Sequence, residues 1–299
     1  MTGLAFIAAL FAGAYAVAVL EAWMATGRWR LTLPILSGAA LLGRESLVPR
    51  RPDRLLFEAG PPIVLIAAVS AAAVLPLAPV ARSMRIAPGA LFVNAAWAYV
   101  MVALVMAGWG PNGAYAMVAG WRFLGQLVAY SMLIVMPITT VAMRAESLST
   151  AAIVESQATG WNVVTQPLGF GLFWLAAMAA SFIPPFDHPV APGELAGGVT
   201  GEYTGVRLAV FRLGRLVLVL SLSIAIVVFY LGGWHGPWLP GWVWTAAKTL
   251  IVVTTMLAGG RSVPRLRSEH LLAWCWKLGI PLALVNILWV GIILWMVDR

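Results

Sequence analysis

From Leu4 to Leu20, Ile63 to Val80, Leu216 to Gly233 and Leu278 to Val297 the chain carries no charged side chain, and these runs are apolar on every face rather than on one. That pattern constrains the fold before any motif is read. A bilayer core takes roughly 20 helical residues, and without water its backbone groups must be satisfied inside helices or a closed barrel. Barrel strands would alternate apolar and polar residues over segments of about ten, which these runs do not. The expectation is an all-α, polytopic membrane protein, one helical unit over residues 1–299. About eight spans are expected near 4–24, 61–81, 91–107, 124–143, 165–183, 211–232, 241–259 and 278–297.

Composition agrees. Of 299 residues, 62% are hydrophobic and 10% charged, against roughly one quarter charged in soluble domains. The net charge of +8 would suggest nucleic acid in a soluble chain, but here the basic residues sit in short loops without interleaved exposed aromatics. The single cysteine, Cys275, excludes a disulfide framework or a cysteine-ligated cluster within the chain. Leu4–Leu20 has no basic flank before it and no small-residue cleavage site after it, so it reads as a retained span rather than a leader.

Lysine and arginine fix the expected direction. With the amino terminus outside, fourteen fall on the inner side, from Arg28 to Lys277, and five on the outer side: Arg82, Arg85, Arg144, Lys248 and Arg299. Basic loops stay cytoplasmic, so both termini are expected to face the periplasm or exterior and the three polar loops the cytoplasm. The tryptophans, Trp109 and Trp121 for example, fall where interfacial belts belong.

Three polar regions could carry chemistry, and all fall on the inner side. The first is Leu42-Gly43-Arg44-Glu45-Ser46 with Pro52-Asp53-Arg54; the second is Pro184-Pro185-Phe186-Asp187-His188-Pro189, then Glu194 and Gly201-Glu202-Tyr203-Thr204-Gly205-Val206-Arg207; the third is Pro264-Arg265-Leu266-Arg267 with Trp276-Lys277. Carboxylates beside an apolar bundle are costly unless paired or solvated, which makes Glu194, Glu202 and Arg207 functional candidates. Ion pairing and capping between helix ends is the competing, purely structural role. The histidines, His188, His235 and His270, lie far apart in sequence, and a lone loop histidine is expected to be solvated. No Walker loop or metal-spaced cluster is present.

These strings, with Val154-Glu155-Ser156-Gln157, Gln166-Pro167-Leu168-Gly169, Lys248-Thr249 and Pro281-Leu282-Ala283-Leu284-Val285-Asn286, resemble the H-type membrane subunits of bacterial respiratory complex I, the family of mitochondrial subunit 1. The resemblance implies a non-redox membrane subunit of an NADH:quinone oxidoreductase. Its cytoplasmic loops would dock the hydrophilic arm, and the loop after the first helix would help form the quinone entry. It implies no cofactor bound by this chain, with quinone shared with partner subunits. Glu45, Asp53, Arg54, Asp187, Glu194, Glu202 and Arg207 match quinone-site or coupling positions, and Arg265, Arg267 and Lys277 are docking candidates.

Departures from the family pattern are as informative. The Glu-Arg-Arg entry and the Gly-Pro-Asn-Arg loop are missing, and Glu21 lies about one turn from the expected acid. Ser131 and Ala180 stand where acids are usual, Arg215 replaces an acid of the sixth span, and Ser37 replaces a loop aspartate. Side chains that cannot titrate cannot relay protons, so the proton path is expected to be degenerate, with Arg215 paired to Glu202 or Glu194. The rival resemblance is the membrane anchor of a nickel–iron hydrogenase such as formate hydrogenlyase. A solute transporter is disfavoured by the absence of an inverted repeat.

Overall fold

The computed structural model describes residues 3–78, 86–190 and 193–297, which leaves the outer-side charges Arg82, Arg85 and Arg299 outside the described residues. Among the described residues there are helices and connecting turns and no strand. They run α1 (Gly3–Thr26), α2 (Thr32–Leu42), α3 (Arg54–Val74), α4 (Gly89–Trp109), α5 (Ala114–Ala145), the short α6 (Thr150–Glu155) and α7 (Asn162–Thr165), α8 (Pro167–Ala180), α9 (Gly205–Tyr230), α10 (Gly241–Ser262), α11 (Ser268–Trp274) and α12 (Ile280–Val297). Among the described residues seven helical stretches are long and apolar enough to cross a membrane, the last of them joining α11 to α12. Expected and observed boundaries differ most at the second, fourth and eighth spans, the fourth starting at Ala114 rather than at residue 124.

The sequence predicts a second span from residue 61, because Pro61-Pro62 reads as a helix start. The helix begins instead at Arg54, capped by Asp53, whose Oδ1 accepts from the Leu56 amide at 3.4 Å. Pro61 has no N–H to give the Phe57 carbonyl, and an interior proline normally costs a helix a bond. Here Tyr203 compensates: its hydroxyl lies 3.2 Å from the Phe57 carbonyl and 3.3 Å from that of Ala107, another group left open by a proline, Pro111.

The fifth span is expected over 165–183. Its helix, α8, has only 14 residues, about 21 Å of rise against a core of about 30 Å. The eighth is expected from 278, and the helical run begins at Ser268. Pro281 cannot donate back to Lys277, and the wide π-helical turn Cys275–Gly279, closed by the Ile280 amide to the Cys275 carbonyl, absorbs the mismatch. Lys277, expected in a loop, is therefore an exposed residue on this helix.

At the centre stands α9, where every residue from Val217 to Tyr230 is buried. A helix apolar all round belongs in the interior, and α1, α3, α8 and α10 pack around it. Small residues bring α3 and α4 together: Gly60 lies against Ala103 and Ala107, and Ala67, Ala68, Ala71 and Ala72 are all buried, the close packing typical of helices in lipid. At one end of the bundle lie the loops that carry most of the arginines, here called the basic end. At the other, Lys248 donates to the carbonyls of Leu231, Gly233 and His235 at 2.6, 3.1 and 2.7 Å, with its ammonium 4.4 Å above the Trp161 ring. It thus caps the chain as it leaves α9.

Candidate functional site

The first and second polar regions meet at the basic end. Gly205 opens α9 at φ +60, and a Cβ there would lie 2.8 Å from the Arg44 carbonyl, so glycine permits both the left-handed backbone and the close passage of residues 44–46. Thr204 then fixes the segment, accepting from the Leu47 amide at 2.8 Å through Oγ1 and from the Ser46 hydroxyl at 3.3 Å through its carbonyl. One turn on, Arg207 donates to Ser46 Oγ at 2.7 Å and to both oxygens of Glu58, at 2.5 and 2.8 Å. Sequence reasoning misses Glu58. It follows Phe57 in the first turns of α3, a stretch that reads as loop because the proline pair hides the true helix start.

The Tyr203 ring lies buried between Phe57, stacked at 4.6 Å, and Phe211. Burial pushes its phenol well above the ordinary tyrosine range, so it remains a neutral donor. Asp53 and Arg54 sit beside this seam. The Asp53 amide donates to the Gly110 carbonyl at 2.9 Å, tying α3 to the end of α4, while Arg54 is exposed. Glu45 is exposed in the extended segment, and Glu202 is exposed next to Gly113.

The second and third regions also meet. Arg265 pairs with Asp187 at 2.5 Å, and the Leu266 amide points at the Pro185 carbonyl at 3.5 Å. His188 is not solvated as expected. It is buried, with Nδ1 3.2 Å from Gln126 Oε1 and Nε2 2.6 Å from the Leu266 carbonyl, and Gln126 in turn donates to the Ala179 and Phe186 carbonyls at 3.0 and 2.9 Å. Its position between Asp187 and Pro189, in a proline-rich turn with little freedom, is the available signal. Glu194 pairs with Arg122 at 2.6 Å, and this hydrogen bond holds its carboxyl below the ordinary glutamate range. Arg267 is exposed just before α11.

A fourth pair corrects the expectation for Arg215, which does not reach Glu202 or Glu194. Its Nη2 lies 3.1 Å from Glu21 Oε1 on α1, and its Nε 3.4 Å from the Ser181 carbonyl. Because Arg215 lies more than two turns along α9 from Arg207, it faces the flank of the bundle, where α1 passes, rather than the loops at its end.

Along that flank α1, α2 and α9 enclose a cleft of about 710 Å³. Tyr15 fixes its mouth by donating from its hydroxyl to the Leu31 carbonyl at 2.6 Å, just before α2. Phe11, Tyr15, Leu33, Ile35 and Leu216 supply apolar walls, and Glu21, Arg212 and Arg215 the polar groups. Helix α2 departs from expectation; residues 25–60 read as loop because Pro34, Ser37 and Gly38 interrupt the apolar pattern. A smaller chamber of about 240 Å³ lies beyond, between Ile183, Pro184, Leu257 and Gly260. Among the described residues no three His, Cys, Asp or Glu side chains converge as a metal site requires.

The family model described as NADH dehydrogenase matches residues 21–291. The chain belongs to this family. Its relatives bear the name of the H subunit of NADH-quinone oxidoreductase: that of Syntrophotalea carbinolica is 36% identical over 85% of this chain and 80% of its own length. Those of Geobacillus kaustophilus and Geobacter metallireducens are 34% and 36% identical over 89% and 90% of this chain and 81% and 84% of their own lengths. In this member of the NADH dehydrogenase family the match begins at Glu21, the residue that meets Arg215. Ser131, where the family resemblance leads one to expect an acid, only turns back on the Val128 carbonyl at 3.5 Å, and Ala180 is fully buried.

Proposed function

We propose that the chain is the membrane subunit of a complex I-like NADH:quinone oxidoreductase, crossing a bacterial cell membrane eight times with both termini outside. Helix α8 makes the fifth of these crossings together with its flanking turns. The basic end faces the cytoplasm and docks the hydrophilic partners, which bring the donor site and redox centres, while this chain binds no redox group of its own.

The cleft between α1, α2 and α9 is the observation that carries this reading. It joins apolar walls, suited to a lipid-soluble substrate, to a polar end where charged groups converge, the composition expected of a small-molecule site. Quinone enters it from the bilayer and passes toward the partner subunits. Glu45, Asp53, Arg54, Asp187, Glu194, Glu202 and Arg207 shape the floor of that passage and the docking face around it. Of the charged groups on that face, Arg265, Arg207 and Arg122 are paired within the chain, so Arg267, Arg54, Glu45 and Glu202, with the exposed Arg44, Arg50 and Arg51, are free to meet a partner.

The test is copurification of the tagged chain from its native membrane, with partners identified and quinone reduction by the purified assembly measured. NADH-oxidising partners and quinone reduction are expected. A nickel-binding large subunit in their place would overturn the reading in favour of a hydrogenase anchor.

A further inference from the structure

We propose that Arg215, steadied by Glu21, receives the polar head of the quinone at the inner end of the cleft, and that the pair forms the partition between the cleft and the chamber behind it. The inference rests on the cleft being the quinone's way in. Among the described residues these two alone line both cavities. Whatever passes from one to the other must displace or slide past this pair.

The chemistry of the pair matches both forms of a quinone. Arg215 spends Nη2 on Glu21 and Nε on the Ser181 carbonyl, and among the described residues Nη1 has no partner. A guanidinium stays protonated and donates in a fixed plane, so it can give a charge-assisted hydrogen bond to a quinone carbonyl. Quinol, by contrast, presents hydroxyl donors. Glu21 Oε2, also without a partner among the described residues, is the acceptor they require. The pair can therefore hold the oxidised ring on its way in and the reduced ring on its way out, without exchanging an electron with either.

At the pair itself charge favours this ligand over an anionic lipid headgroup, which would be drawn instead to Arg212, the other arginine lining the cleft. Glu21 offsets the charge of Arg215, so a phosphate brought to the guanidinium would also face a carboxylate, whereas a neutral carbonyl compound meets no such repulsion. The remaining walls, Phe11, Leu33 and Ile35 among them, suit a ring and an isoprenoid tail rather than a hydrated headgroup. Glu21 acts as a positioning residue as well: anchoring one edge of the guanidinium turns the other toward the cleft.

The experiment compares the purified assembly carrying native chain, the neutral pair Glu21→Met/Arg215→Met, and the swapped pair Glu21→Arg/Arg215→Glu. Quinone titrations are normalised to electron transfer to a hydrophilic acceptor that bypasses the membrane. Both double variants avoid an unpaired charge and are expected to assemble. In the neutral pair KM for a short-chain quinone should rise about tenfold or more relative to kcat, the scale of a lost hydrogen bond to a charged group. The swap should recover thermal stability but not KM. An unchanged KM in the neutral pair, a native KM in the swap, or a KM that moves only with anionic lipid content would each overturn the proposal. In parallel, a photoreactive short-chain quinone is crosslinked to the full chain in nanodiscs, and labelling near residues 21 and 215 should vanish in the neutral pair; persistence would also overturn it. A native assembly that reduces no quinone, while its chain is still labelled through Arg215, would defeat the proposed function and leave this inference standing.

Discussion

Arg207 on α9 and Glu58 on α3 face each other across the basic end, the guanidinium donating to both carboxylate oxygens while its Nη1 holds Ser46. One arginine thus joins three segments far apart in sequence. Both partners are partly exposed, at 22% and 52% of their side chains, so the pair is worth on the order of 1 kcal/mol rather than the several a buried pair could give. Its larger effect is to hold residues 44–47 against the start of α9. Arg207→Ala should leave the bundle folded and speed hydrogen exchange at the Leu47 amide, whose partner is Thr204 Oγ1. Unaltered exchange there would show that Thr204 holds the segment alone.

Tyr203 presents a sharper case. Its hydroxyl is the donor for the Phe57 and Ala107 carbonyls, and Phe at this position would keep the stacking and remove only the donor. Buried acceptors left without a donor cost about 1–3 kcal/mol. Tyr203→Phe should lower the thermal midpoint of the detergent-solubilised chain by that equivalent. A midpoint equal to native would mean that water or another group supplies the missing donor.

Both pairs show what the sequence discloses and what it conceals. Uninterrupted apolar runs disclose the helices, because nothing except the bilayer explains them, and the family strings disclose which loops are polar. Pairing is another matter. Arg207 and Glu58 are separated by 149 positions, and no local pattern states that α3 and α9 run side by side. Glu58 is masked because Pro61-Pro62 mimics a helix start, and it is the distant Tyr203 that supplies the bond Pro61 cannot make to the Phe57 carbonyl. Lys248 reads from sequence as a charge within a span, but not as the cap on three carbonyls that its position in space makes it.

Glu194 supplies a pH test. Its carboxyl is held below the ordinary glutamate value near 4.5 by the hydrogen bond from Arg122. The folded-state value is depressed, so the stabilisation is fully present above the ordinary value and is lost as pH falls through the depressed one. Limited proteolysis of the 193–204 loop should therefore be constant at neutral pH and accelerate only in distinctly acidic buffer. Glu194→Gln should remove most of that acid response. High salt should weaken the pair at all pH values, since Glu194 is solvent-exposed. Equal acid sensitivity in the variant would assign the response to another group.

Topology can be read with thiols. Cys275 is buried and should stay silent toward an impermeant reagent, whereas cysteines placed at the exposed Arg50 and Arg267 should react from the cytoplasmic side only. Arg265 suits this test less well, because it is engaged with Asp187. Labelling of either position from outside would reverse the orientation and detach the docking face from the cytoplasm.

The last prediction concerns protons. A relay needs groups that change charge within reach of one another, and the chain offers Ser131 on α5, Ala180 on α8 and Arg215 on α9 where the family resemblance leads one to expect acids. A guanidinium is a poor proton relay because it does not give up its proton, and that of Arg215 is held by Glu21 at 3.1 Å, so a proton arriving there meets a fixed positive charge. The assembly holding the native chain should therefore move few protons by way of this subunit. Arg215→Glu would replace the fixed positive charge beside Glu21 with a second carboxyl, a group that can take up and release a proton. Proton uptake per electron is measured in proteoliposomes at saturating quinone, so that weaker quinone binding does not limit turnover. A higher ratio in Arg215→Glu than in the native assembly is expected. Full translocation by the native form, unaltered by the substitution, would show that protons travel by a route that does not pass Arg215.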